Sequence, residues 1–360
     1  MKLEPFDSGV TIVLITYNSA EYIHACLRSV RTAASHARIL VVDNASQDGT
    51  INIVRRDFPE CSLIALPQNI GHSAACNLAL HYAETTWVLL LDHDTTVSDG
   101  WLAPLLATAE AMWPSTGMVG SRAVLAAQNR IHHDGGYAHY VGHMTLRNGF
   151  VKLEEASGNL ESVEVGAQAS TSLLIHRQRA LAAGGFDPRF FIYLNDFDLS
   201  LRMRLRGWQC YVAPRSVVYH RQGNPETSWR GHGRYPSQRA YLIYRNRWML
   251  IAKIYAWRTL MVCLPALALY EALLVITALH KGWMRAYWRA LRDVVRYRRA
   301  IWFHRKRIQS SRCISDRELL SAHHLSYVPG LIQNPAERLA QSVLERAFAL
   351  YWRLAAPFAG

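Results

Sequence analysis

Asp92 and Asp94 stand one residue apart at the end of an apolar run, Trp87-Val88-Leu89-Leu90-Leu91. In an extended chain, side chains at i and i+2 leave the same face. The pair therefore aims at one point. A hard cation such as Mg²⁺ or Mn²⁺ takes oxygen ligands of this kind and keeps positions for phosphate. An Asx turn capping a strand uses the same residues. A second acidic set, Asn195-Asp196-Phe197-Asp198, opens an amphipathic stretch containing Leu199, Arg202 and Met203 and closed by Gly207. Carboxylates suit a helix N-terminus, and Asp198 with Arg202 is an i,i+4 pair, so a structural reading stands beside a chemical one. His220 ends Val217-Val218-Tyr219, either as a third metal ligand or as a satisfied structural group. Asp43 ends the run Ile39 to Val42 and either accepts from a base or ribose or starts a turn. Asn18, Asn69 and Asn77 carry the same choice, since an amide also ties loops together.

These groups need elements that bring them to one edge. Val10 to Thr16 reads as a strand buried on both faces, followed by a helix carrying Tyr22, Ile23, Cys26, Leu27 and Val30 on one side. Ile39 to Val42, Ser62 to Leu66 and the run ending at Asp92 are further strands. Helices are expected to about Phe58, over His72 to Tyr82 and from about Leu102 to Met112. Strand and helix alternating through short links predict an α/β fold with a doubly wound, mostly parallel sheet whose carboxyl-end loops border one crevice. No GxGxxG follows the first strand, which disfavours a dinucleotide. Downstream, Ser170 to Ile175 and Val217 to His220 read as strands. Cys210 to Ala213 precedes Pro214. The histidines at 132, 133, 139 and 143 fit no zinc spacing and read as scattered loop residues.

The chain has 360 residues, half of them apolar, and six cysteines without a CxxC pair, which suits reduced thiols in a cytosol. Its start, MKLEPFDSG, lacks the plan of a signal peptide. The net charge of +13 is uneven: between Lys281 and Arg312 eleven basic residues face one acidic residue, Asp293. Trp283, Tyr287, Trp288, Tyr297, Trp302 and Phe303 are interleaved with them, a mixture that fits anionic lipid head groups better than nucleic acid. Thr259 to Leu279 is long enough to span a bilayer, yet Pro265 and Glu271 interrupt it and basic residues flank both ends. A kinked, interfacial or re-entrant helix is the preferred reading, with a buried soluble helix as the alternative. A capping box near Ser315 and an amphipathic helix from about Pro335 to Leu354 complete the chain.

Seven pieces now stand in order: Ile15-Thr16-Tyr17-Asn18, Val41 to Thr50, Asn69-Ile70-Gly71 with Ala74 to Asn77, Leu91 to Asp94, Gly184-Gly185-Phe186-Asp187, Asn195 to Leu199 with Arg202 and Gly207-Trp208, and Tyr219-His220. Together they resemble the family-2 glycosyltransferases of GT-A fold, especially bacterial members that build surface polysaccharides, rhamnosyltransferases among them. The resemblance implies an inverting transfer from a nucleoside-diphosphate sugar (a UDP- or dTDP-sugar, dTDP-rhamnose included) to a glycan or polyprenyl-linked acceptor, with Mg²⁺ or Mn²⁺. It implies that Thr16, Tyr17, Asn18 and Asp43, with Asn77 and Asp92, hold the nucleotide. Asp92, Asp94 and His220 would hold the metal, Asp196 would be the general base, and Asn195 and Asp198 would lie on the acceptor side. The family usually has Glu where Asn195 stands, which suggests a catalytically impaired member as one rival. A nucleotidyltransferase is another, although it prefers a Gly-rich basic loop after the first strand. The expected division is a catalytic domain over 1–232 and a helical region over 233–360, membrane-associated around 259–312, on the cytoplasmic face and without nucleic acid.

Overall fold

The computed structural model describes residues 9–156, 158, 160–221, 237–325 and 334–360. Its first half alternates β1 (Val10–Thr16), α1 (Ile23–Ala33), β2 (Arg38–Asp43), α2 (Thr50–Asp57), β3 (Ser62–Ala65), α3 (His72–Tyr82) and β4 (Trp87–Asp92). Then come β5 (Thr95–Val97), α4 (Leu102–Ala111), β6 (Thr116–Leu125), β7 (Arg130–His133), β8 (Gly136–His139), β9 (His143–Leu146), β10 (Val163–Val165), β11 (Ser172–His176), α5 (Arg177–Ala182), α6 (Asn195–Leu205) and β12 (Gln209–His220). The main sheet runs β10-β12-β6-β11-β4-β1-β2-β3. Strands β4, β1, β2 and β3 are mutually parallel, as their uninterrupted apolar runs predict. Beyond β4 the sheet is mixed, because β11 runs antiparallel to both β4 and β6.

Alternation across the strands sorts the core. Ile12, Leu14, Leu89 and Leu91 pack under α1 and α4, whereas Val13, Val88 and Leu90 pack under α3, α5 and α6. Helices on both faces make the sheet doubly wound. Pro214 sits in a register shift between Ala213 and Val217 of β12, which runs continuously from before Cys210 to His220. A bulge is where a strand tolerates a residue without an N–H.

The second half is helical: α7 (Ser237–Ile254), α8 (Trp257–Lys281), α9 (Met284–Arg296), α10 (Arg298–Ser310), α11 (Asp316–Leu319) and α12 (Pro335–Ala355). The expected division at 232/233 lies outside the described residues. Ser315 and Glu318 form the expected capping box on α11. α8 continues through Pro265 to a left-handed Gly282. Glu271 does not interrupt α8 but anchors it: its carboxylate accepts from Arg247 (2.7 Å), Trp248 (3.1 Å) and Tyr287 (2.7 Å). One acidic group thus ties α8 to α7 and α9.

Candidate active site

Register brings the chemistry to one rim. Thr16 pairs with Asp43, and Ile15 with Asp92, so β1, β2 and β4 end level with one another. At the first of these ends the Asp43 carboxylate is fully buried and accepts from the Thr16 hydroxyl (2.7 Å), the Ser46 hydroxyl (2.6 Å) and the Ser46 N–H (2.8 Å). Ser46 in turn accepts from the Asn18 N–H, and the Asn18 side chain accepts from the Gln47 N–H. Asn18 and Ala45 adopt positive φ, 49° and 67°. Asn takes that conformation more readily than most residues because its short amide bonds locally. The Asp43 carboxylate therefore organises the two loops from within. Tyr17 and Asn18 are partly exposed, whereas Thr16 and Asp43 are buried.

At the end of β4, Asp92, Asp94 and His220 place one ligand atom each within 4.8 Å of one another. β5 pairs with β12, Thr95 opposite His220, and the Arg221 N–H donates to the Asp94 carbonyl. That short return delivers Asp94 to His220, whose Nε2 is 3.2 Å from one Asp94 oxygen and 3.9 Å from one Asp92 oxygen. Burial first, and then the Asp94 charge, push the Asp92 carboxyl above its ordinary range. Two carboxylates crowded in this way, with an imidazole nitrogen completing the arc, have the donor chemistry of a hard divalent cation. The other nitrogen of His220, Nδ1, lies 3.2 Å from His132 Nδ1, and the rings stack at 5.2 Å. His132 reaches this place because β7 pairs with β6, and β6 with β12.

Asp196 sits on the same rim. The Thr171 carbonyl accepts from the Asp92 N–H, and the neighbouring Ser170 N–H donates to the Asp196 carboxylate (2.9 Å). The Cys76 thiol of α3 is pushed far up by burial and then by the charges of both Asp92 and Asp196. Burial raises the Asp196 carboxyl, while N–H donors of Phe197 and Ser170 hold it back. The entry to α6 is strained: Phe191, Tyr193 and Leu194 all have φ between 57° and 68°. Non-glycine residues stay there only when their surroundings hold them. The Asn246 amide supplies that hold by donating to the carbonyls of Phe190, Ile192 and Tyr193. Arg245 adds bonds to the Arg189 and Phe190 carbonyls.

The remaining expected site residues have other duties. Asp198 is fully buried between Arg202 (2.8 Å) and Lys253 (2.8 Å), so it braces α6 against α7 and does not face the crevice expected for an acceptor. The Asn77 amide bonds both backbone groups of Phe186, at 2.7 Å each, which joins α3 to the turn before α6. Asn195 is buried and lies 3.1 Å from His72 Nδ1; burial and the neighbouring His93 push His72 down to about 4. Sequence reasoning passed over His132 because its neighbours fit no zinc spacing.

A model of the glycosyl transferase family 2 matches residues 11–158, and a model of glycosyl transferase family group 2 matches residues 87–304. The chain is 26% identical over 271 residues to N-acetylglucosaminyl-diphospho-decaprenol L-rhamnosyltransferase from Mycobacterium tuberculosis, covering 69% of this chain and 86% of that relative. Among solved structures, the mannosyltransferase PcManGT from Pyrobaculum calidifontis, in complex with GDP-Man and Mn²⁺, aligns with a TM-score of 0.50 at 17% identity, over 97% of this chain and 87% of that one. GalNAc-T7 with UDP, GalNAc and Mn²⁺ aligns with the same score at 15% identity, over 68% of this chain and 50% of that one. The structural likenesses speak for the fold, which is GT-A.

Proposed function

The chain belongs to glycosyl transferase family 2, and from that premise we propose an inverting transfer of a sugar from a UDP- or dTDP-sugar, dTDP-rhamnose included, to a lipid-linked or polysaccharide acceptor. The observation that carries the reading is the meeting of Asp92, Asp94, His220 and Asp196 on one rim, joined through Ser170 and Thr171. The rhamnosyltransferase relative, named for an N-acetylglucosaminyl-diphospho-decaprenol, supports the acceptor class. Residues 1–232 carry catalysis in this reading, and 233–360 hold the enzyme on the cytoplasmic face of the membrane through the segment 259–312.

Each residue then has a task. Tyr17 and Asn18 contact the nucleoside on a loop that Asp43 and Thr16 hold in shape. Asp92, Asp94 and His220 hold Mg²⁺ or Mn²⁺, which when bound neutralises charge gathering on the leaving diphosphate. His132 takes the Nδ1 proton of His220 in a hydrogen bond and so turns Nε2 toward the metal, an outer partner of the kind metal-bound histidines use. Asp196 removes the proton from the acceptor hydroxyl, and its raised affinity for protons makes it a better base than a solvated carboxylate. One base suffices for inversion, because no covalent sugar intermediate requires a second nucleophilic carboxylate.

The test is a thermal-shift panel of UDP, dTDP and GDP with and without Mn²⁺. A metal-dependent shift that Asp94→Ala loses and Asp196→Ala keeps, with transfer lost in both, is the expected result. Full transfer by Asp196→Ala removes it as the base. A nucleotide shift without transfer in the unaltered chain supports the impaired-member reading.

A further inference from the structure

α8 is as apolar on its outer side as on its inner one. Cys263, Ala266, Leu267 and Tyr270 are buried in the helical layer, while Trp257 (60% exposed), Met261 (76%), Leu264 (63%), Ile276 (50%) and Leu279 (61%) face outward. Their spacing, four, three, twelve and three residues, keeps them on one side of the helix. A helix solvated by water on that side carries polar groups there. α12 repeats the pattern. Phe348, Trp352 and Ala355 are buried against the layer, and Leu339, Val343, Leu350 and Leu354, all at least 59% exposed, form a separate stripe at helical spacing. Arg346 and Arg353, both exposed, lie beside that stripe. The two helices are packed together: the Tyr351 hydroxyl donates to the Val262 carbonyl.

Resting on the membrane reading above, we propose that α8 and α12 together form a monotopic docking surface that sinks into one leaflet of an anionic bilayer, with both ends of α8 left on the same side. Charge argues for the occupant: exposed Arg258 and Lys281 stand at the two ends of α8, and Arg285, Arg296, Arg299 and Lys306 are exposed on the next two helices, α9 and α10. A partner protein offers no reason for so many cations around an apolar face, whereas acidic head groups over acyl chains do. The inner side of α8 argues against a span. Glu271 is bound to Arg247, whose side chain is fully buried. Moving α8 across the bilayer would carry that pair, and the buried Lys253 of α7, toward hydrocarbon.

The experiment is flotation of the full chain with vesicles of phosphatidylcholine alone or with phosphatidylglycerol. The chain is expected to float with the anionic vesicles, and Leu339→Asp/Val343→Asp/Leu350→Asp/Leu354→Asp to lower the bound fraction at least tenfold with an unchanged circular dichroism spectrum. A variant that floats like the unaltered chain overturns the role of α12 and leaves the membrane reading standing. An unaltered chain that never floats overturns the membrane reading itself. A detergent-free dimer that loses its vesicle binding shows that a second copy covers the face, which also overturns the proposal. For topology, Arg258→Cys and Lys281→Cys are made one at a time in a Cys313→Ser chain, which removes the exposed native thiol, and labelled with an impermeant maleimide in sealed vesicles. Labelling at both sites is expected; labelling of one only after permeabilisation shows a span and overturns the monotopic arrangement.

Discussion

The sheet and the helical layer distribute polarity in opposite ways. In the sheet, Ile12, Leu14, Val88 and Leu90 are inside, and the acidic groups gather at the rim. In the helical layer three cations, Arg245, Arg247 and Lys253, are inside and at most 5% exposed, while Met261, Leu264, Leu339 and Leu354 are outside together with Arg258 and Lys281. Water is the solvent that the first arrangement suits. The second suits a surface apolar in the middle and anionic at its edge. The regions meet where α7 reaches over the start of α6, since Asn246 grips the strained loop and Lys253 joins Asp187 and Asp198. A helix of the outer layer thus sets the position of the candidate base.

That comparison is sharpest where one substitution affects a single region. Asp196→Asn is expected to lower kcat by about 10²–10⁴-fold, the usual value of a positioned base, with the nucleotide-induced thermal shift retained. Glu271→Leu leaves the Arg247 charge buried without its carboxylate and should cost about 3–5 kcal/mol in denaturant unfolding. If that loss is absent, the inward-facing charges do not hold the helical layer together. Asn246→Ala deprives three carbonyls of a donor and releases the left-handed run, so about 3 kcal/mol of stability should go together with activity. A stability loss without an activity loss would separate the two regions. His132→Leu should weaken Mn²⁺ binding, read by electron paramagnetic resonance, by about tenfold or more at unchanged melting temperature, and His132→Gln should restore part of it by returning an acceptor.

The pH dependence of the rim has a fixed sign. Burial raises the Asp196 carboxyl in the folded chain above its unfolded value of about 3.9. Between those two values the folded chain holds a proton that the unfolded chain has lost, so stability falls as pH rises through that window and stays reduced above it. Asp196→Asn should therefore melt higher than the unaltered chain at neutral pH and equally at pH 3. The acid limb of kcat should also lie above the ordinary carboxylate range. An acid limb at about 3.9 would remove the desolvation argument.

Much of the sheet was legible from local pattern. Trp87 to Leu91 has no alternation and became a strand covered on both faces, and His72 to Tyr82 became a helix with the expected ends. Asp198 was readable only in part, because an i,i+4 pair with Arg202 is visible in sequence and Lys253, fifty-five positions away, is not. Glu271 looked like an interruption of an apolar run because its partners lie on other helices. His132 could not be linked to His220, since the link passes through two strand pairings separated by long stretches of chain.

The order of residue types along the polypeptide was enough to settle the strand-helix alternation, the acidic ends of the strands and the family those pieces belong to. All of these depend on short-range periodicity and on neighbours a few residues apart. Which carboxylates face each other, which amide is already used and which charge is buried were decided by the tertiary structure alone. Hydrogen bonds and burial join residues that the sequence holds far apart, and the energy of a polar group depends on what surrounds it rather than on what precedes it.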